Sequence, residues 1–157
     1  MAIDTPYTIL IVDDDWVILE LLTDVLSREG YHVLSTPNGN DVAAICREQP
    51  IHLIILDYMM PGITGEDVVR IVRECEHDVQ IIIQTAQDLI PPRKMLRELD
   101  IQGYHNKGEK LSKLLLWIDV ALKNYEQIRS RRALENSLLA LGLALEARDL
   151  ETAGHTK

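Results

Sequence analysis

Tyr7-Thr-Ile-Leu-Ile-Val12, running straight into Asp13-Asp14-Asp15, decides the fold. The run is short, rich in β-branched residues and nearly continuous rather than alternating. A strand buried on both faces of a parallel sheet reads this way. His52-Leu-Ile-Ile-Leu56 and Val79-Gln-Ile-Ile-Ile83 read alike, and weaker strands fit at 31–36 and 101–106. Between them lie segments of helical period. Val17, Leu21, Leu22, Val25 and Leu26 form one apolar face, closed by Gly30 as a residue just past a helix end. Val42, Ile45 and Cys46 form a second, Val68, Val69, Val72 and Cys75 a third, and Met95, Leu96 and Leu99 a fourth. Pro91-Pro92 falls at or just before the fourth helix's first turn, where a missing N–H costs little. A fifth helix begins near Leu111. Strand and helix alternate five times, which predicts an α/β domain: a five-stranded, doubly wound parallel sheet.

The fifth helix is not stopped where a compact domain would stop it. Leu111, Leu114, Ile118, Ala121, Tyr125 and Ile128 follow alternating three- and four-residue steps. The apolar positions then resume as Leu134, Leu138, Leu141 and Leu145, slipped by one through Arg129-Ser-Arg-Arg132. Such a slip is the mark of a local insertion in a coiled-coil pattern. Residues 111–148 as one helix would reach roughly 57 Å at 1.5 Å per residue. A small sheet cannot cover that length, so the far half is expected to be a linker helix that pairs with a second copy into a homodimer.

The whole chain has 157 residues, about one domain's worth. Apolar residues make up 46% and charged residues 26%, which excludes collagen-like and wholly disordered classes. A net charge of -9 argues against a nucleic-acid partner and suits a site that holds a cation. MAIDTPYTIL lacks the basic and apolar regions of a signal peptide, and no apolar run reaches membrane-spanning length. Cys46 and Cys75 have no metal-binding spacing and read as small apolar fillers on helices. A cytoplasmic protein with reduced thiols and no membrane contact is expected.

In such a sheet, ligands bind beyond the carboxyl ends of the strands. Asp13, Asp14 and Asp15 follow the first strand, Asp57 the third, Thr85 the fourth and Lys107 the fifth. Clustered carboxylates repel. At about 4 Å each unit-charge pair costs on the order of 1 kcal/mol in water, and roughly 4 at an effective dielectric of 20. A hard divalent cation such as Mg²⁺ offsets that repulsion and favours oxygen ligands. A carboxylate flanked by a metal, a lysine and a hydroxyl can accept a phosphoryl group, acting as the nucleophile that forms an aspartyl phosphate.

Ile11-Val-Asp-Asp14, Leu56-Asp-Tyr-Met-Met-Pro-Gly62, Gln84-Thr-Ala86 and Tyr104-His-Asn-Lys107 resemble the receiver domain of two-component response regulators, over residues 7–123. The resemblance implies a flavodoxin-like fold, a histidine kinase as partner and Mg²⁺ as cofactor. It makes Asp57 the phosphoacceptor and a metal ligand, Asp13 and Asp14 the acidic pair on the metal, and the Met59 backbone carbonyl a further ligand. Thr85 and Lys107 would hold the phosphoryl oxygens. Tyr104 matches the aromatic that turns inward when Thr85 moves. Two positions depart from the family. Gly108 stands where the family has a proline after the lysine, so a differently shaped loop is expected. Trp16 stands where a proline is common; there it either alters access to the acid pocket or, as expected, simply packs.

Leu141-Gly-Leu-Ala-Leu-Glu-Ala-Arg-Asp149 and Glu151-Thr-Ala-Gly-His155 resemble the opening of an HD-GYP domain, a family that hydrolyses cyclic di-GMP. Glu151 and His155 match early metal ligands of some members, yet two ligands make no closed site, so both are expected to be solvated. The resulting division is a receiver at 1–123, a helical linker at 124–148 and a truncated output domain at 149–157. That fragment would not itself be an enzyme. Three rival readings stay open. A haloacid-dehalogenase-type phosphatase would use Asp13 as nucleophile. A scaffold would dimerise without being phosphorylated. The output could be a diguanylate cyclase or another domain. His32, His52 and His77 read as ordinary edge histidines, whereas His105, beside Tyr104, could tune the output face.

Overall fold

The computed structural model describes residues 7–86 and 92–154. Five strands form one parallel sheet: β1 (Thr8–Val12), β2 (His32–Thr36), β3 (Leu53–Asp57), β4 (Gln80–Thr85) and β5 (Gly103–Asn106). Their order across the sheet is β2-β1-β3-β4-β5. The register sets Ile9 against Leu53, Ile54 against Ile81 and Ile83 against Tyr104. The helices are α1 (Trp16–Arg28), α2 (Val42–Glu48), α3 (Gly65–Cys75), α4 (Pro92–Glu98) and α5 (Leu111–Gly154). The expected α/β class and doubly wound parallel sheet are therefore observed.

Strand pleating assigns successive side chains to opposite layers. Leu10, Val12, Ile54, Leu56, Ile81 and Ile83 pack with Val42 and Cys46 of α2, Val68, Val69 and Val72 of α3, and Met95 of α4. Ile9, Ile11, Leu53, Ile55 and Ile82 pack with Leu19, Leu22 and Leu26 of α1 and with Leu114, Ile118, Ala121 and Leu122 of α5. Apolar side chains fill both layers, which explains why the central strands read as nearly continuous apolar runs.

Three details depart from the sequence reading. On α1 the buried residues are Leu19, Leu22 and Leu26, while Val17 and Leu21 are exposed. Apolar residues cover more than one side of this helix, so spacing alone leaves its phase open by a step; contact with β1 selects it. Cys46 is buried as expected, but Cys75, the last residue of α3, is exposed. Trp16 does not pack: it is 66% exposed at the first position of α1. Gly30 has the expected role, with φ of 95° just past the end of α1. Pro92 opens α4, whereas Pro91 lies outside the described residues.

One compact unit extends through Tyr125 and a second begins at Glu126. In the first, α5 buries Leu114, Ile118, Ala121, Leu122 and Tyr125. In the second, the helix continues without interruption through Arg129–Arg132, and Leu134, Leu138, Leu139, Leu141, Leu143, Leu145 and Leu150 are all exposed. Glu151 is an exposed residue of this helix; His155 lies outside the described residues. Among the described residues no helix is long and apolar enough to cross a membrane.

Candidate phosphoacceptor site

The order β2-β1-β3 reverses direction at β1, and a crevice opens beyond the strand ends where connections diverge. Asp13 follows β1, Asp57 ends β3, Thr85 ends β4 and Lys107 follows β5. Asp13, Asp57 and Thr85 are buried, and Asp14 is exposed at the mouth. All the strand-end residues expected at this rim are brought together except Asp15, which turns away. Its side chain accepts the Val17 N–H at 2.9 Å and caps α1. The Asp15 N–H in turn donates to Asp13 Oδ1 at 2.9 Å, fixing the Asp13 carboxylate.

The loop after Asp57 is pinned as firmly. Met59–Met60 pairs antiparallel with Ile63–Thr64, and Gly62 between them has φ of 80°. Thr64 and Asp67 form a reciprocal capping box that starts α3. The Gly65 N–H donates to the Tyr58 carbonyl at 2.8 Å, and a Cβ on Gly65 would lie 2.9 Å from Tyr58 Cα and 3.1 Å from the Asp57 carbonyl oxygen. Only glycine permits that approach. Met59 is held beside the pocket with its side chain outward, 55% exposed, and its N–H donates to the Asp57 carboxylate.

Lys107 binds this rim together. Its Nζ lies 2.6 Å from Asp13 Oδ2 and 3.5 Å from Asp57 Oδ2. Its N–H donates to the Thr85 carbonyl at 2.7 Å, tying the lysine to β4. Burial pulls the ammonium's pKa down, but Asp13 and Asp57 outweigh burial and hold it above its ordinary value. Asp57 is pushed up to about 7, first by burial and then by the charge of Asp13, with Lys107 pulling against both. Among the described residues no peptide bond is cis. The loop at Gly108 is shaped instead by Asn106, whose Oδ1 accepts the Gly108 N–H at 2.8 Å and whose carbonyl accepts that of Glu109 at 2.9 Å.

Carboxylate oxygens of Asp13, Asp14 and Asp57 lie within 4.8 Å of one another. Three acids face one ammonium, and the Asp57 carboxyl is raised first by burial and only second by the charge of Asp13. An all-oxygen donor set with excess negative charge fits a hard divalent cation such as Mg²⁺. Tyr104 is buried, 6% exposed, in the layer that contains Met95 and Ile83.

The model of the response regulator receiver domain family matches residues 9–119. The chain belongs to that family. Response regulator RR06 of Streptococcus pneumoniae is 37% identical over 117 residues, 74% of this chain and 54% of its own length. The chain spans about half the length of the curated relatives it matches. Among solved structures, response regulator protein TrrA of Thermotoga maritima, in complex with Mg(2+)-BeF, has a TM-score of 0.65 at 30% identity. That likeness covers 74% of this chain and 99% of TrrA. The signal receiver domain of an HD domain-containing protein from Pseudomonas fluorescens Pf-5 has a TM-score of 0.74 at 25% identity, covering 83% of this chain and 98% of that one. The receiver and two-component readings of the motifs thus hold, and a receiver domain is not itself a catalytic domain.

Sequence reasoning missed two buried polar residues of β4, Gln80 and Gln84, 1% and 4% exposed. The signal was available: Gln80 interrupts the apolar run that begins at Val79, and Gln84 ends it.

Proposed function

We propose that Asp57 accepts a phosphoryl group from the phosphohistidine of a histidine kinase. The observation that carries this reading is Lys107 Nζ within reach of both Asp13 and Asp57 at the strand ends. In the transfer, an Asp57 carboxylate oxygen forms a bond to phosphorus, the phosphorus–nitrogen bond of the donor breaks, and an acyl phosphate results. Asp13, Asp14, Asp57 and the Met59 carbonyl would hold Mg²⁺, which when bound neutralises charge on the phosphoryl oxygens and favours the ionised form of Asp57. Lys107 supplies a fixed positive charge on the same side, and Thr85 offers its hydroxyl. The added charge, roughly two negative units at one strand end, draws Thr85 and Lys107 inward and repacks the surface of α4, β5 and α5 around Tyr104. Phosphorylation biases the two states only by its differential interaction with them, typically about 1–3 kcal/mol.

The receiver unit continues helically into residues 126–154, and the exposed leucines there support a homodimer through this helix. The output domain we favour is an HD-GYP cyclic di-GMP phosphodiesterase. Support comes from the Leu141–Asp149 and Glu151–His155 motifs and from the likeness to the receiver of an HD domain-containing protein.

Intact mass after incubation with acetyl phosphate tests the phosphoacceptor. A phosphoryl gain that needs Mg²⁺ and is lost in Asp57→Asn is expected. A gain that survives in Asp57→Asn but disappears in Asp13→Asn would replace this reading with the phosphatase one.

A further inference from the structure

Strand β4 turns Gln80, Ile82 and Gln84 to the layer that holds α5, since Ile82 packs there with Leu114 and Ile118 and alternate residues share a face. A glutamine at each end of that row is costly to bury unless its amide is bonded. Both are bonded, and both lead to α5. At the exit of the receiver unit, Asn124 Nδ2 donates to Gln80 Oε1 at 2.9 Å, while Gln80 Nε2 donates to the Asp78 carbonyl at 3.0 Å. At the site end, Gln84 pairs in register with His105 of β5.

His105 is 2% exposed and uses both ring nitrogens. Its Nδ1 lies 3.2 Å from Gln84 Nε2 and its Nε2 lies 3.3 Å from the Lys110 carbonyl. A carbonyl only accepts, so Nε2 carries the proton and donates; Nδ1 then accepts from the Gln84 amide. Burial holds the imidazole's pKa below its ordinary range, consistent with this neutral tautomer. The Lys110 carbonyl also accepts the Lys113 N–H at 3.0 Å and so belongs to the opening turn of α5. The chain of bonds starts one residue from Thr85, and its step from His105 to Lys110 brackets Lys107 in sequence; Thr85 and Lys107 are the two groups that answer a phosphoryl group in the reading above. On the same strand, the Gln84 carbonyl accepts the Tyr58 N–H at 3.0 Å, next to Asp57.

We infer that His105 is a positioning residue that relays displacement of β4 at the phosphoacceptor site to the first turn of α5, through Gln84 Nε2–H, the imidazole and the Lys110 carbonyl, while the Gln80–Asn124 bond holds the helix at its exit. The inference rests on the phosphoacceptor reading. It needs no contact between His105 and the phosphoryl group, and it gives the site a route to the output helix separate from Tyr104, which lies in the opposite layer.

The test uses the whole chain, with Mg²⁺ and beryllofluoride as the phosphoryl mimic. Calorimetry gives the affinity at the site, and hydrogen exchange of amides 112–118 gives the response of α5. Trp117 supplies a second readout, because its ring packs 3.0 Å from the position of a Cβ on Gly103 of β5. Replacing the exposed Trp16 by Phe makes Trp117 the sole tryptophan. In the parent, beryllofluoride is expected to change both exchange and emission. In His105→Val the affinity should stay within twofold while both responses fall by more than half, and His105→Asn, which keeps one bonding partner, should restore part of them. The paired change Gln84→Leu with His105→Val removes both buried partners together, so it stays folded if His105→Val alone does not, and it should lose the response equally. Full responses in His105→Val or in the paired variant at parental affinity would overturn the relay while leaving the phosphoacceptor intact. No beryllofluoride binding by the parent would overturn both.

Discussion

Replacing Asp57 by Asn should stabilise the metal-free protein, and increasingly so as pH rises. In the fold the Asp57 carboxyl sits at about 7 against an ordinary 3.8, chiefly from burial and next from Asp13. Between those values the native state keeps a proton that the unfolded chain has released. Stability attributable to this group therefore falls as pH rises through the window, by at most about 1.36 kcal/mol per pH unit. The whole interval sets a ceiling of about 4 kcal/mol on the cost of an ionised Asp57. The substituted amide carries no charge, so this slope disappears, and Lys107 keeps Asp13 as its partner at 2.6 Å. His105, held below its ordinary value by burial, imposes a slope of opposite sign, but it is present in both proteins and cancels in their difference. Urea unfolding in EDTA at pH 5.5, above the sequence pI of about 4.9, and again at pH 8 is the assay. The advantage of Asp57→Asn over the parent should grow by about 2 kcal/mol between those two pH values. A constant gap, or a variant less stable at both, would refute the electrostatic account of the pocket. Adding Mg²⁺ at pH 8 should narrow the gap: a ligand at a hundred times its Kd stabilises by about 2.7 kcal/mol, and the parent holds the fuller set of carboxylates.

Gly103→Ala should lower the urea midpoint with an unchanged slope and cost about 1–3 kcal/mol, because its Cβ would press on Trp117 at 3.0 Å and Ile82 at 3.1 Å. At about 100° per residue, Leu134, Leu138, Leu141 and Leu145 form one stripe of the output helix and Leu139, Leu143 and Leu150 another on the far side. Leu138→Glu with Leu145→Glu should therefore give a monomer by sedimentation equilibrium, whereas Leu139→Glu with Leu143→Glu should leave the dimer. Removing the register slip at residues 129–132 in the longer protein should uncouple output from phosphorylation while Asp57 still gains a phosphoryl group by mass. A normal output response would rule out this segment as the hinge.

The sheet was legible because two-sided burial leaves a compositional trace: Ile54, Ile55, Ile82 and Ile83 are fully or almost fully buried on opposite layers, and on β4 the polar residues stand only at the ends of the apolar run, as Gln80 and Gln84 do. The helices were legible in existence and less so in phase. Trp16, Val17 and Leu21 show why, since apolar residues that remain exposed carry the same signal as those that enter the core. The acid pocket was legible because each of its groups is a polar residue ending an apolar run, and strand ends are where a parallel sheet collects such groups. Lys107 could be placed at the rim from sequence, but not its shared hold on Asp13 and Asp57, which depends on how the loop at Asn106 and Gly108 turns.

What sequence concealed is the connection between the pocket and the helix that leaves it. Gln80, Gln84 and His105 are ordinary residues whose meaning depends on their partners, and those partners lie far along the chain: Asn124 is 44 residues from Gln80, and His105 is 21 from Gln84. Apolar packing alone would let α5 slide on the sheet, because dispersion contacts are non-directional and exchange one methyl for another. A bonded amide at each end does not permit that exchange, since a buried donor left without its acceptor costs about 1–3 kcal/mol. That penalty is of the same order as the free energy by which phosphorylation is expected to bias the receiver. Two such bonds can therefore convert a small displacement at Thr85 and Lys107 into a discrete change at the start of α5 rather than a diffuse loosening of the layer.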